Sequence, residues 1–391
     1  MEKGDTYDRF LRPAINWLML SGIRNKSSET TYGGFNSGYD LREKSYSLAY
    51  CEITGYAINL LSNLYRLKKN HLFLEFAKNA GNFLVDMQYK GSSQKIFGAF
   101  PKGYSFLQKA VVYDFYSFDV AICISALIDL FRETNEQRFL ASAKIAGDWL
   151  VNQMQFDDGA FRSMFDCSIQ DFAQIKKWFG NRGCLHAKNA IGLLKLSDVT
   201  GDAKFKESAT RVCDWVLNLQ KRNGAFVATE SESYVFAHAQ CYATEGLLHV
   251  HLNLNNPKYL EAALESGKWL IQAQNADGSL NRFYYKNSFI PTKMTDATSQ
   301  ALRIWAILYR LTREKDYLDA AQKSAKFLVS MQCQNKSDPN AFGGLFYQSR
   351  AVWKLRYVYP FVSAWSTMFA IHAFYALKNL SESSYEKASV F

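Results

Sequence analysis

The 391-residue chain is poor in proline, with only 6, and modest in charge, with 21% Asp, Glu, Lys and Arg. No run of five or more basic residues occurs, so an arm that grips nucleic acid is excluded from the reading. No stretch of 18 apolar residues occurs, so no transmembrane helix is expected. The opening residues Met1-Glu2-Lys3-Gly4-Asp5 lack the apolar core of a secretion signal. The seven cysteines are odd in number and form no CxxC pair, which points to reduced thiols, a cytoplasmic location and no disulfide framework. No glycine-rich phosphate loop is present, and no cofactor is expected.

Apolar residues make up 48% of the chain, enough for a large core and too many for disorder. Aromatics are abundant, at 8 Trp, 23 Tyr and 29 Phe, which is more ring than a core alone requires. The net charge of +10 favours an anionic partner.

One pattern recurs six times: an aromatic–aliphatic pair, a glutamine, then a turn ending in an aromatic or apolar residue. The pairs are Trp17-Leu18, Phe83-Leu84, Trp149-Leu150, Trp215-Val216, Trp269-Leu270 and Phe327-Leu328. Gln88, Gln220, Gln274 and Gln332 follow their pairs at one spacing, the third copy offers Gln153 or Gln155, and the first has Gly22 there. The turns carry Gly33, Gly98, Gly159, Gly224, Gly278 and Gly343. Asn-Gly and Asp-Gly supply the positive φ of tight turns. Asp157-Asp158 therefore reads as one of these turns, because Asp277-Gly278 repeats it without the acid pair.

Each pair sits on an amphipathic segment, and each turn leads to a second segment that is apolar almost all round. This predicts an all-α, single (α/α)6 toroid of six helical hairpins over residues 1–391, with outer helices near 8–21, 72–88, 137–154, 203–219, 258–273 and 316–331. The inner helices are expected near 50–67, 115–133, 185–199, 237–252, 294–311 and 361–377. Connections from outer to inner helices are long, so all six long loops gather on one rim, with strands confined to short hairpins inside them. The same rim carries the positive ends of six inner helices.

The W-L-x-x-x-Q and D-G-x-F pattern resembles the six-hairpin glycosidase superfamily, and also the Q-W repeats of prenyltransferases and squalene cyclases. Tyr32-Gly33-Gly34-Phe35 and Glu52-Ile53-Thr54-Gly55-Tyr56 resemble uncharacterised bacterial and archaeal toroids linked to polysaccharide metabolism. The His-Asp-x-Gly-Phe signature associated with unsaturated glucuronyl hydrolases and the Asp-x-Asp-Asp motif of class II terpene cyclases are both absent. Cys51, Cys184, His186 and Cys241 fall near inner-helix starts, but their dispersed spacing and the missing Cys-His-Gly signature speak against zinc.

Aligning the inner helices by their apolar runs puts Glu52, Asp119, His186, either His238 or Gln240, Asp296 and Trp365 at the first turn. Polar residues at the open ends of apolar helices converge on one cavity. Two carboxylates suit glycoside hydrolysis, and the reading assigns acid/base function to Glu52 and Asp119, with Asp296 next in line. For uronate elimination or C5-epimerisation, Tyr56 or His238 abstracts the proton and Arg282 or Arg356 holds the carboxylate. Tyr32, Lys188, Gln300, Trp353, Tyr359 and Trp365 complete the expected binding surface, and the expected partner is an anionic glycan. A non-catalytic glycan-binding toroid and a cyclase of a lipid or peptide remain open alternatives.

Overall fold

In a computed structural model, residues 3–26, 30–175, 177–285, 288–352 and 355–380 are described. They form six helical pairs: α1 (Lys3–Leu20) and α2 (Cys51–Lys68), α3 (His71–Met87) and α4 (Ser117–Thr134), and α5 (Gln137–Trp149) and α6 (Asn189–Thr200). The series continues with α7 (Ala203–Leu217) and α8 (Ala237–Leu254), α9 (Pro257–Ala273) and α10 (Thr295–Thr312), and α11 (Lys315–Ser330) and α12 (Ala364–Lys378). The odd-numbered helices lie outside and bury one stripe. The even-numbered helices form the inner wall; in α2 every residue from Cys51 to Leu64 is buried. Only two residues separate each inner helix from the next outer one, and the first of them is left-handed at Lys69, Asn135, Gly201, Asn255 and Arg313.

The repeat motif is the joint between neighbouring hairpins. Gln220 donates to the carbonyl of Gly224 (3.3 Å) and of Ala262 on the next outer helix (2.8 Å). Gln88, Gln274 and Gln332 do the same. In the third copy the joint is Gln155, not Gln153, because a π-helical turn at Leu150–Met154 inserts a residue and moves the glutamine one place on. The sixth joint closes the ring: Gln332 donates to Phe10 of α1, and the Trp17 indole donates to Asn340. The ring of Phe10 stacks on Phe374 of α12 at 4.0 Å.

All six turn glycines have φ between +82° and +98°. At Gly224 a Cβ would stand 2.1 Å from the carbonyl oxygen of Glu265. Gly224→Ala is expected to cost at least ~1–3 kcal/mol of stability from the left-handed backbone alone, with the clash added. Gly201→Ala, with φ +72° but nothing within 4 Å, is the matched control and should cost less. Equal denaturation midpoints for the two variants would refute the joint.

The long loops do more than form hairpins. Leu48–Tyr50 pairs with Gly103–Ser105, Asp114–Tyr116 with Met164–Asp166, and Val235–Phe236 with Leu280–Tyr285. Ser288–Met294 pairs with Gln348–Val352, and Phe361–Ser363 returns to Gly38–Asp40. A bridge between Gly183 and Thr229 joins the remaining neighbours. The loops thus form a hydrogen-bonded collar, because chains entering adjacent inner helices run side by side and satisfy each other's backbone groups. Among the described residues no helix is long and apolar enough to cross a membrane.

Candidate active site

Inside the collar a cavity of about 330 Å³ opens over the N-terminal ends of the inner helices. Its floor has a simple register. Each inner segment begins directly after an N-cap residue: Tyr50, Tyr116, Gly183, Phe236, Met294 and Ser363. The second residue after each cap is Glu52, Phe118, Leu185, His238, Asp296 and Trp365, and all six line the cavity. The third segment opens as a 3₁₀ turn, Cys184–Lys188, before α6.

This register corrects the alignment drawn from apolar runs, which slips by one residue in the second and third copies. Asp119 stands one place further on and still reaches the cavity. His186, in the equivalent place, is not among the lining residues. It is buried beside Phe161, and burial lowers its imidazole to about 3. Gln240 is a scaffold residue: it accepts from the Phe226 backbone N–H and donates to Gly224 and Ser266. Thr54, Thr298 and Thr367 occupy the same place and accept from Phe35, Leu280 and Leu345. His238 is therefore the residue of that pair that faces the cavity.

The lining holds two polar clusters. On one side the Trp365 indole donates to both oxygens of Glu52, at 3.3 and 3.2 Å, and the Tyr50 hydroxyl donates to Asp119 at 2.9 Å. Burial and then the neighbouring Asp119 push the Glu52 carboxyl well above the usual carboxylate range, only partly opposed by Trp365 and Lys188. Burial raises Asp119 to about 7 against the pull of Tyr50 and Lys102. The second cluster pairs His238 with Asp296, Nδ1 to Oδ2 at 3.9 Å. Burial lowers the His238 imidazole below its ordinary value although Asp296 favours the charged form. The Asp296 carboxylate is pinned by the backbone N–H of Ala297 at 2.6 Å. Trp178, stacked on Phe236 at 4.3 Å, presents its edge to His238. Arg282 lines the same wall, and its Nε is buried without a hydrogen-bond partner.

Lys188, Gln300 and Tyr56 lie outside the lining of this cavity. Lys188 donates to Glu245 at 2.7 Å, Gln300 donates to Glu245 at 3.0 Å, and Arg303 pairs with the other oxygen of Glu245. Tyr56 lines a second small void with Lys188 and Arg303 and not the main cavity, and burial pushes its hydroxyl well above the phenol range. Tyr32 is exposed and reaches Asn79 on α3, because the Gly33 turn packs against that outer helix. Tyr359 lies beside Arg42, outside the lining. Trp353 and the side chain of Arg356 lie outside the described residues.

Sequence reasoning passed over Tyr50, Tyr116, Phe236 and Lys102. The first three had a signal: each is an aromatic immediately before an inner helix. Lys102 had none, since its position is set by the collar.

The Squalene-hopene cyclase C-terminal domain family model matches residues 74–345. The chain belongs to that family. The matched span contains all five glutamine joints and the turn glycines from Gly98 to Gly343. Proteins that share the whole ring are found among solved structures. A sugar epimerase from a ruminal bacterium superposes with a TM-score of 0.77 at 14% identity, covering 97% of this chain and 98% of that one. The cellobiose 2-epimerase of Bacillus thermoamylovorans gives 0.73 at 14% identity, over 96% and 99%. An unsaturated glucuronyl hydrolase from a Bacillus species gives 0.68 at 12% identity, over 96% and 97%. At these identities the likeness is one of fold. No curated protein matches this member of the cyclase-domain family.

Proposed function

We propose that this protein is a carbohydrate-active enzyme of the glycoside hydrolase type, acting on an acidic, uronate-containing glycan. The observation that carries the reading is the pair Glu52 and Asp119, buried on adjacent inner helices in one aromatic-walled cavity and both raised in pKa. Glu52 keeps its proton and serves as the general acid, steadied by the Trp365 indole. Asp119, the more readily ionised partner, is the base or nucleophile, and the Tyr50 hydroxyl supports its charged form. Trp178, Phe236 and Trp365 line the cavity with aromatic surface on which a sugar can pack. The unpartnered Nε of Arg282 suits a substrate carboxylate.

A second reading, uronate epimerisation or elimination, draws on His238 and Asp296. A neutral imidazole facing a carboxylate is equipped to take a proton from carbon, with Arg282 holding the uronate. Two of the solved relatives named above are sugar epimerases.

The pH profile of kcat/KM separates the two. Hydrolysis needs Asp119 ionised and Glu52 protonated, so activity should rise through pH about 7 and fall at higher pH as the coupled pair loses its second proton. Proton abstraction by neutral His238 should persist below pH 6.5, because burial lowers its imidazole from the ordinary value. Incubation with defined uronate oligosaccharides in D₂O, followed by NMR, reads the chemistry directly. New reducing ends with no new double bond mean hydrolysis, new reducing ends together with a 4,5-unsaturated uronate mean elimination, and deuterium at carbon with no chain cleavage means epimerisation. Absence of both, together with no binding, would overturn the enzyme reading.

A further inference from the structure

A second, smaller pocket of about 170 Å³ adjoins the main cavity, lined by Phe156, Arg162, Ser163, Phe172, Gln174 and Arg182 among others. Ser163 lines both. The two arginines differ in kind. Arg182 is committed to Asp158 and Glu230. Both guanidinium groups lie over aromatic rings, Arg182 by Phe156 and Trp215, and Arg162 at 4.2 Å from the centroid of Phe156 and 4.6 Å from that of Phe172, so the difference lies in ion pairing. Among the described residues no carboxylate forms an ion pair with Arg162, and its Nε is buried with no hydrogen-bond partner. Ring contacts leave the N–H donors of the guanidinium to define what it binds.

Ser163 supplies an independent observation. The residue is 4% exposed, and its hydroxyl is buried without a partner. Its backbone is fixed, because its carbonyl accepts from Ser117 at the start of α4, the helix that carries Asp119. A buried hydroxyl left unpaired where two pockets meet is costly in the empty protein and is satisfied by a ligand that spans them.

We infer that this pocket is an anion subsite that binds the carboxylate of a uronate residue flanking the sugar in the main cavity, with Arg162 as its fork and Ser163 as an additional donor. Bidentate N–H donation matches the two oxygens of a carboxylate. The inference rests on the glycan reading of the main cavity and narrows it. With Arg282 in one chamber and Arg162 in the next, the substrate carries at least two carboxylates on separate residues.

Isothermal titration of the full chain tests this with three ligands: glucuronic acid, a tetrasaccharide of consecutive glucuronate residues, and that tetrasaccharide with its carboxyls reduced. Arg162→Gln should weaken the acidic tetrasaccharide by about ten- to a hundredfold, as for a lost charged hydrogen bond. It should leave the monosaccharide within about twofold and the reduced tetrasaccharide unaffected. Ser163→Ala should show the same pattern more weakly, whereas Arg282→Gln should weaken monosaccharide and acidic tetrasaccharide alike. Unchanged binding of the tetrasaccharide to a folded Arg162→Gln protein, or equal weakening of all acidic ligands, would overturn the subsite. If no acidic sugar binds the parent, the glycan reading fails, and crystals soaked in sulfate then judge the pocket. Sulfate on Arg162 in the parent and not in Arg162→Gln keeps an anion site, and an empty pocket removes it.

Discussion

Glu52→Gln and Asp119→Asn are each expected to cut turnover of a verified uronate glycan by ~10²–10⁴, the range for loss of general acid–base action. Both changes keep shape and hydrogen bonding: the Trp365 indole still finds an oxygen at residue 52, and Tyr50 finds one at residue 119. Stability should move the other way. Both acids have folded-state pKa values above the ordinary 4.5 and 3.8, so their contribution is full below those values and is lost as pH rises, for Asp119 through about 7. An amide has no proton to lose. The variants should therefore melt at least as high as the parent at pH 8, with the difference vanishing near pH 4. Full turnover in both variants would remove the hydrolase assignment, and His238→Gln becomes the decisive change. A fall in activity matched by a fall in melting temperature at pH 8 would mean that the acids are structural.

Glu245→Gln is expected to be the most destabilising single change near the cavity. Glu245 is wholly buried. Burial alone would raise its pKa, but Arg303 and Lys188 outweigh that and hold it at about 2. Removing the charge leaves two buried cations without this carboxylate, a loss of about 3–5 kcal/mol for a broken buried pair. The loss should be larger at pH 6 than at pH 9. Burial already lowers Lys188 to about 8, and without Glu245 it sheds its proton more readily. Urea denaturation of parent and variant at both pH values checks this. A difference under ~1 kcal/mol at both would show that the cluster is not a stabilising ion pair.

The ring was legible in the sequence because its joints are made by residues with few substitutes. Only glycine tolerates both the left-handed turn and the adjacent backbone carbonyl, as at Gly224 against Glu265. A glutamine side chain must reach two carbonyls at once. The collar was not legible, since strand pairing between loops distant in sequence leaves no local period. The site was partly legible. Glu52, His238, Asp296 and Trp365 follow from asking what stands at the first turn of an apolar helix. Asp119 was reached through an alignment one residue out of register, and the same slip selected His186, which faces Phe161. The slip arose where apolar runs blur the helix start. The aromatic caps Tyr50, Tyr116 and Phe236 mark the start better than the runs do.

The six second positions over the cavity floor have a consequence for how such rings diverge. Glu52, Phe118, Leu185, His238, Asp296 and Trp365 occupy one backbone setting repeated around an axis, and each projects into the same void. The bonds that hold the ring are made elsewhere, by the glutamines, the turn glycines and the fourth-position threonines. These six places therefore act as interchangeable sockets, and a side chain can be exchanged in one without disturbing the frame that presents the others. A new reaction in this ring requires a new arrangement of occupants, not a new fold.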